Sequence, residues 1–312
     1  MISFGHSNIL NLKNIRPYVL PIAIIFGSIF HSFFSKIHNV APYIIGVILF
    51  LTFCEVDFKK IKIQKYHLWL LAFQLILSIV FYLILSPFSA ILAQGAMIGI
   101  LAPVAASSTV VAVMIGADMN SMVSYTILGN LAIAIAAPIY FSFVGTQNGS
   151  PFWPSFWDII MRVSPVIIFS LGGAYIVQRR LKKLHKVITK YQTLPFYLWS
   201  IALATVIGVS TDFIIKQYHT EYKIIWLMVP ISIIECLMSF GFGRWIGKRY
   251  GYKVSGGQAL GHKNGILAVW MSQAFLNPLA SIVPALYILW QNIWNSVMIW
   301  KTNNASKLDK KE

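Results

Sequence analysis

Charge is what this sequence has least of. Asp, Glu, Lys and Arg make up 11% of its 312 residues, against roughly 25% in an ordinary soluble domain. Acidic residues are scarcest, nine against 25 Lys and Arg. A water-soluble globule is therefore not expected, and so rich an apolar content equally excludes disorder. Cys54 and Cys236 are the only cysteines. They lie far apart in apolar runs with no CxxC spacing, which excludes a disulfide scaffold and a zinc centre and reads them as small buried hydrophobes. No HExxH or GxSxG occurs, nor a pair of aspartates within an apolar run, so the sequence reads as no enzyme. The first sixteen residues are polar, without an apolar h-region ending at a small-residue cleavage site, so a cleaved signal is not expected.

What remains is apolar. Hydrophobic residues supply 57% of the chain and aromatics 14%, with a mean hydropathy of +0.70. Stretches long enough to cross a bilayer fall near 17–34, 40–56, 67–86, 90–117, 121–143, 157–178, 194–215, 223–247, 256–276 and 278–300. Cationic residues test that count, because alternate loops must be cytoplasmic and those should hold them. They gather at the N-terminus (Lys13, Arg16), the second loop (Lys59, Lys60, Lys62, Lys65), the sixth (Arg179, Arg180, Lys182, Lys183, Lys186, Lys190), the eighth (Arg244, Lys248, Arg249, Lys253) and the C-terminus (Lys301, Lys307, Lys310, Lys311). Only Lys36, Arg162, Lys216 and Lys223 fall outside, with Lys263 inside a span. The net charge of +16 thus reads as orientation and contact with anionic lipid, not as a nucleic-acid surface. The expected protein is all-α and polytopic, with ten transmembrane helices and both termini cytoplasmic, in a bacterial inner membrane. Trp153, Trp157, Trp245 and Tyr250 read as interfacial anchors.

The two halves of the chain repeat. Ser108 to Met114 aligns with Asn264 to Trp270, and Gln74 to Ser78 with Glu235 to Ser239. The fourth span then corresponds to the ninth and the third to the eighth. An odd number of spans per unit forces the two copies into opposite orientations. The expected organisation is a cytoplasmic segment 1–16, a first repeat 17–143, an extracytoplasmic linker 144–156, a second repeat 157–300 and a cytoplasmic tail 301–312. The corresponding fourth and ninth spans are also the most interrupted, by Pro103 and the small residues after it, and by Gly256, Gly257, Gly261 and Gly265. Broken helices at matching positions of inverted repeats point to a transporter's midplane site, where freed carbonyls and half-helix ends face an ion or anion.

At these residues the sequence resembles the bile acid:sodium symporter family. The resemblance rests on Tyr43 to Phe50, Gln74, the stretch from Pro103 to Val111 with Asp118 beyond it, Lys263-Asn264, and the run from Asn277-Pro278 through Trp290-Gln291-Asn292 to Asn295-Ser296. It implies a panel domain of spans 1, 2, 6 and 7, a core domain of spans 3–5 and 8–10, and helices 4 and 9 crossing at unwound centres. It also implies transport of bile-acid-like or other organic anions, usually driven by sodium. By the same resemblance Gln74, Ser108 and Thr126 match sodium ligands, while Thr109 stands where asparagine is usual. In the ninth span the family's glutamate and glutamine positions read Ala259 and Lys263, followed by Asn264, so sodium ligation by the full set is in doubt.

Lys263 is the most informative residue. A lysine near the centre of a membrane helix costs about 2.5–3.5 kcal/mol on insertion scales unless it is paired. Glu235, read as the only carboxylate well inside a span, is its expected partner. The ammonium then acts as a built-in cation beside the former sodium site, with coupling lost or passed to protons. His262 could join a proton relay. Gln74, Ser108, Thr109, Thr126, Glu235 and Lys263 form the expected cation or coupling site. Ser107, Asn130, His262, Asn264 and Asn292 form the expected substrate region, and Gln94, Gln258 and Gln273 read as packing polars. The leading expectation is a secondary transporter of an amphipathic organic anion, with the lipid bilayer as surroundings, no cofactor beyond a coupling ion, and no obligate protein partner. A cation/proton antiporter and a non-transporting sensor on the same fold are the alternatives.

Overall fold

The computed structural model describes residues 21–105, 108–147, 149, 151–191 and 194–308, and among these the chain is helical with a single isolated bridge. Helix α1 covers 21–29 and resumes at His31–Lys36; α2 is Ala41–Cys54 and α3 is Lys65–Leu85. Next come two short helices, α4 (Ala90–Leu101) and α5 (Ser108–Met114), then the long α6 (Met119–Gln147) and α7 (Phe152–Arg180) and the short α8 (Lys182–Lys190). The stretch Leu194–Arg249 leaves helical geometry at Glu221 (φ −118°, ψ 15°), dividing it into α9 (Leu194–Lys216) and α10 (Glu221–Arg249). A second short pair, α11 (Lys253–Gly261) and α12 (Gly265–Phe275), precedes α13 (Ile282–Leu308).

Six helices are long and apolar enough to cross a membrane: α3, α6, α7, α9, α10 and the segment Pro278–Thr302. Three shorter apolar stretches, His38–Cys54, Ala90–Leu101 and Gly265–Phe275, fall below that length. The outward surface suits lipid. Phe169, Trp226, Leu83 and Trp69 are each at least 60% exposed, where a soluble protein would present charge. The linker expected over 144–156 is shorter than expected, since α6 continues to Gln147 and α7 begins at Phe152.

Small residues let helices approach closely, the usual packing device where lipid removes any hydrophobic drive between helices. The nearest approach joins α10 to α11: a Cβ added at Gly256 would run into the Gly243 carbonyl, and one at Gly243 into the Gly256 carbonyl. Gly27 of α1 lies nearly as close to the Ala204 backbone of α9. Helix α7 is tied on both sides, by Ser170 Oγ donating to Gly46 O of α2 (2.8 Å) and Ser164 Oγ to Ala134 O of α6 (2.8 Å).

Both short pairs break where the sequence demands it. Pro103 has no N–H to continue α4 and holds Ala102 in an extended conformation (φ −45°, ψ 133°). Helix α11 ends at Gly261, His262 turns to φ −91°, ψ 89°, and Asn264 restarts the chain as the N-cap of α12, its side chain accepting from Leu267 N at 3.2 Å.

Candidate functional site

The two breaks meet. Val104 and Lys263 form an antiparallel bridge, with Ala105 N donating to His262 O (3.0 Å) and Asn264 N to Pro103 O (2.7 Å). Each break thus satisfies part of the other's freed backbone, which water cannot do at this depth. Side chains from the flanking long helices complete the pairing. Asn130 of α6 donates to Val104 O (3.3 Å) and Thr126 O (2.8 Å). Gln291 of α13 grips Lys263 on both sides of its backbone, Oε1 accepting from Lys263 N (2.8 Å) and Nε2 donating to Lys263 O (3.1 Å).

The C-terminal end of α4 collects donors. Gln74 of α3 places its amide on Leu101 O and Ala102 O, both at 2.8 Å, while its own carbonyl accepts from Tyr125 OH at 3.0 Å. The Lys263 ammonium crosses over from the other break to Ile100 O at 2.8 Å. A cation there sits on the negative end of a helix dipole, where three terminal carbonyls lack intrahelical donors. Lys263 is 1% exposed and among the largest fully buried side chains.

Glu235 is equally deep, at 0% exposed, but differs from expectation in its contacts. Neither carboxylate oxygen has a hydrogen-bond partner among the described residues, and no ion pair joins it to Lys263 within 4.0 Å. It packs against α4 at Gly99, where any added Cβ would strike the carboxylate. Gly99 and Ile100 are neighbours in sequence, so the carboxylate and the ammonium address adjacent residues of one helix end without touching. Asp212 of α9 is a second buried carboxylate that the sequence reading missed, at 4% exposed. It is fully engaged elsewhere, by Lys216 Nζ (2.6 Å), Ser35 Oγ (2.9 Å) and His31 Nδ1 (3.1 Å).

The remaining expected site residues divide. Ser108 is buried with its hydroxyl unpartnered among the described residues. Thr126 turns its hydroxyl back to Met122 O on its own helix (2.9 Å), and Thr109 opens α5 half-buried. Ser107 lies outside the described residues. His262 joins a closed amide set, with Asn295 Nδ2 3.2 Å and Gln258 Oε1 3.3 Å from its Nδ1, and Gln258 Nε2 donating to Asn295 Oδ1 at 2.8 Å. Asn292 bonds only Ile288 O of its own helix (2.6 Å), so its neighbour Gln291 is the residue that reaches the break. Gln291 and Asn295 were named only as part of the resembling run and given no site role, and Tyr125 was not singled out from sequence. One signal was available for the first: Gln291 follows Asn130 by 161 residues, the same separation as Glu235 from Gln74.

A serine and a histidine also meet at the other end of α3, where Ser121 Oγ lies 2.9 Å from His67 Nε2. Gln64 N donates to His67 Nδ1 (3.2 Å), so Nδ1 is the acceptor and Nε2 carries the proton. The imidazole therefore faces Ser121 as a donor, the wrong tautomer for activating it as a nucleophile. No group of three or more His, Cys, Asp or Glu able to hold a metal occurs among the described residues. No protein-family model matches the chain, and no curated protein matches it either.

Proposed function

We propose that the protein is a secondary transporter of an amphipathic organic anion, built as two inverted five-helix repeats, in which the Lys263 ammonium takes the place of a coupling sodium ion. The observation that carries this reading is the paired break: two interrupted helices bonded to each other at their interruptions, with a buried cation on the exposed carbonyl end of one of them. Helix halves meeting at depth are how transporters build a polar site inside an apolar bundle. The inverted repeat is supported by matched roles at one separation. Asn130 and Gln291, 161 residues apart, each serve a residue of the bridge.

A mainly apolar cavity of about 160 Å³ lies between α1, α9 and α13, walled by Ile24, Leu203, Ile214 and Leu286 with Ser210 and Thr211 as its polar groups, smaller than the roughly 300–1,000 Å³ of a typical ligand pocket. In the proposed arrangement α1, α2, α7 and α9 form the panel, and that cavity lies where the panel meets the core. Both termini are cytoplasmic in this reading, and the membrane is a bacterial inner membrane.

Sodium has little room to act in this arrangement. Ile100 O is engaged by an ammonium, and the carbonyl of Gln74 already accepts from Tyr125. The test is thermal stability of the purified protein across a sodium series at constant ionic strength, for wild type, Lys263→Gln and Glu235→Gln. Wild type is expected to ignore sodium and Lys263→Gln to gain a sodium response. A sodium-stabilised wild type would overturn the tethered cation. Transport itself is tested by uptake of taurocholate and simpler sulfonates into proteoliposomes under imposed sodium or pH gradients, with sodium expected to be dispensable.

A further inference from the structure

A second cavity, of about 280 Å³, opens where α10, α13 and the ends of the broken helices converge, lined by Ile115, Arg244, Val254, Met298, Lys301 and Thr302. Two of these six residues are cations and none is acidic. The Arg244 stem lies across Gly257 of α11, and its guanidinium donates to Met298 Sδ at 3.5 Å. A thioether is a weak acceptor for a guanidinium. Neither Arg244 nor Lys301 has a carboxylate within 4.0 Å among the described residues. Asp118, three residues beyond Ile115, accepts at Oδ1 from Ser121 N (2.7 Å). Arg249, one turn along α10, is instead stacked on Trp245 at 3.9 Å. Arg244 and Lys301 are thus two cations that share a cavity, with three apolar residues on its walls and a planar fork of donors left with a poor partner.

We propose that this cavity binds a phosphate-bearing anion, held by Arg244 and Lys301. A guanidinium matches two phosphate oxygens at once, and an ammonium adds a point charge. The phosphate is either a lipid headgroup, whose chains would follow Ile115 and Val254, or a free phosphate compound. The site is separate from the paired break and does not depend on what the protein transports. Its walls nevertheless include residues of α11 and the chain just past α5, so an occupant would brace both broken helices at once.

The experiment measures the thermal unfolding midpoint of the full chain in a neutral detergent while adding short-chain phosphatidylglycerol, short-chain phosphatidylcholine or inorganic phosphate. Wild type is expected to be stabilised saturably by phosphatidylglycerol and less by phosphatidylcholine, whose choline opposes the two cations. Arg244→Gln should raise the half-saturating concentration at least about tenfold, since it removes both charge-assisted hydrogen bonds of the guanidinium fork, whereas Arg249→Gln should leave it unchanged. Lys301→Gln, at an exposed position, supplies the same comparison should Arg244→Gln not fold. Stabilisation by phosphatidylglycerol alone identifies a lipid; an equal response to inorganic phosphate identifies a free phosphate compound. No saturable response to either, or one that survives both substitutions, overturns the site.

Discussion

Gln74 and Glu235 approach the same helix end and meet opposite fates. The amide makes three hydrogen bonds, two of them to the terminal carbonyls of α4, whereas the carboxylate makes none among the described residues. The difference is chemical. Helix C-termini offer only acceptors, and an amide can donate to them while an ionised carboxylate can only accept. Glu235 makes no such contact among the described residues, and a further donor reaches the helix end as Lys263, sent across from the other break. Each break is held by a neutral amide, Asn130 on Val104 and Gln291 on Lys263, while the carboxylate and the ammonium lie apart at Gly99 and Ile100. A buried acid and base that do not touch leave the structure dependent on both.

The largest effect should come from dividing those charges. Lys263→Met takes the donor from Ile100 O and leaves Glu235 without the neighbouring ammonium, and should cost about 3 kcal/mol, the upper end for a buried polar group left unsatisfied. The double variant Lys263→Met with Glu235→Gln should recover part of it, and thermal unfolding of the two singles and the double measures that non-additivity. Additive losses would show that the two groups do not sense each other. Next in size is Gln74→Ala, which strips a donor from two carbonyls and an acceptor from Tyr125. At about 0.6–1.7 kcal/mol per hydrogen bond in a membrane bundle, it should lower stability by about 2 kcal/mol. Tyr125→Phe, removing one of those bonds, should cost about 1 kcal/mol by the same measure. The finest comparison sets Gln291→Ala against Asn292→Ala: the first should cost about 1–2 kcal/mol and the second under about 0.5, because only Gln291 reaches the break.

Much of the fold was legible because lipid simplifies the code. Apolar runs of sufficient length and flanking cations place helices without any need for a helical face pattern, and Pro103 and Gly261 announced the breaks. The expected stretch 223–247 matched α10 closely, while the linker over 144–156 proved largely helical because Gly145 and the Pro151 before α7 interrupt the helices less than their polarity suggested. The site was less legible. Lys263 stood out by its cost in a membrane, but its acceptor is a backbone carbonyl, which has no letter in the sequence. Glu235 was the natural partner by charge alone, and only three-dimensional packing reveals that it settles against a glycine. Asp212 was overlooked because it lies near the end of α9, where its partners His31 and Ser35 come from a distant part of the chain. Asn292 was preferred to Gln291 although a helix turns about 100° per residue, so of two adjacent amides only one can face inward.

The bridge between the breaks is made entirely of main-chain atoms. Its two rungs, Ala105 to His262 and Asn264 to Pro103, use N–H and C=O groups that every residue except proline carries in full. Substitution at Val104 or Lys263 can change the chemistry of the crossing without removing the rungs. Two rungs also fix orientation as well as separation: one hydrogen bond alone would let the helix halves twist about it, and the second removes that freedom. Side chains around the crossing can therefore change one at a time while the main-chain rungs that join the two breaks stay the same.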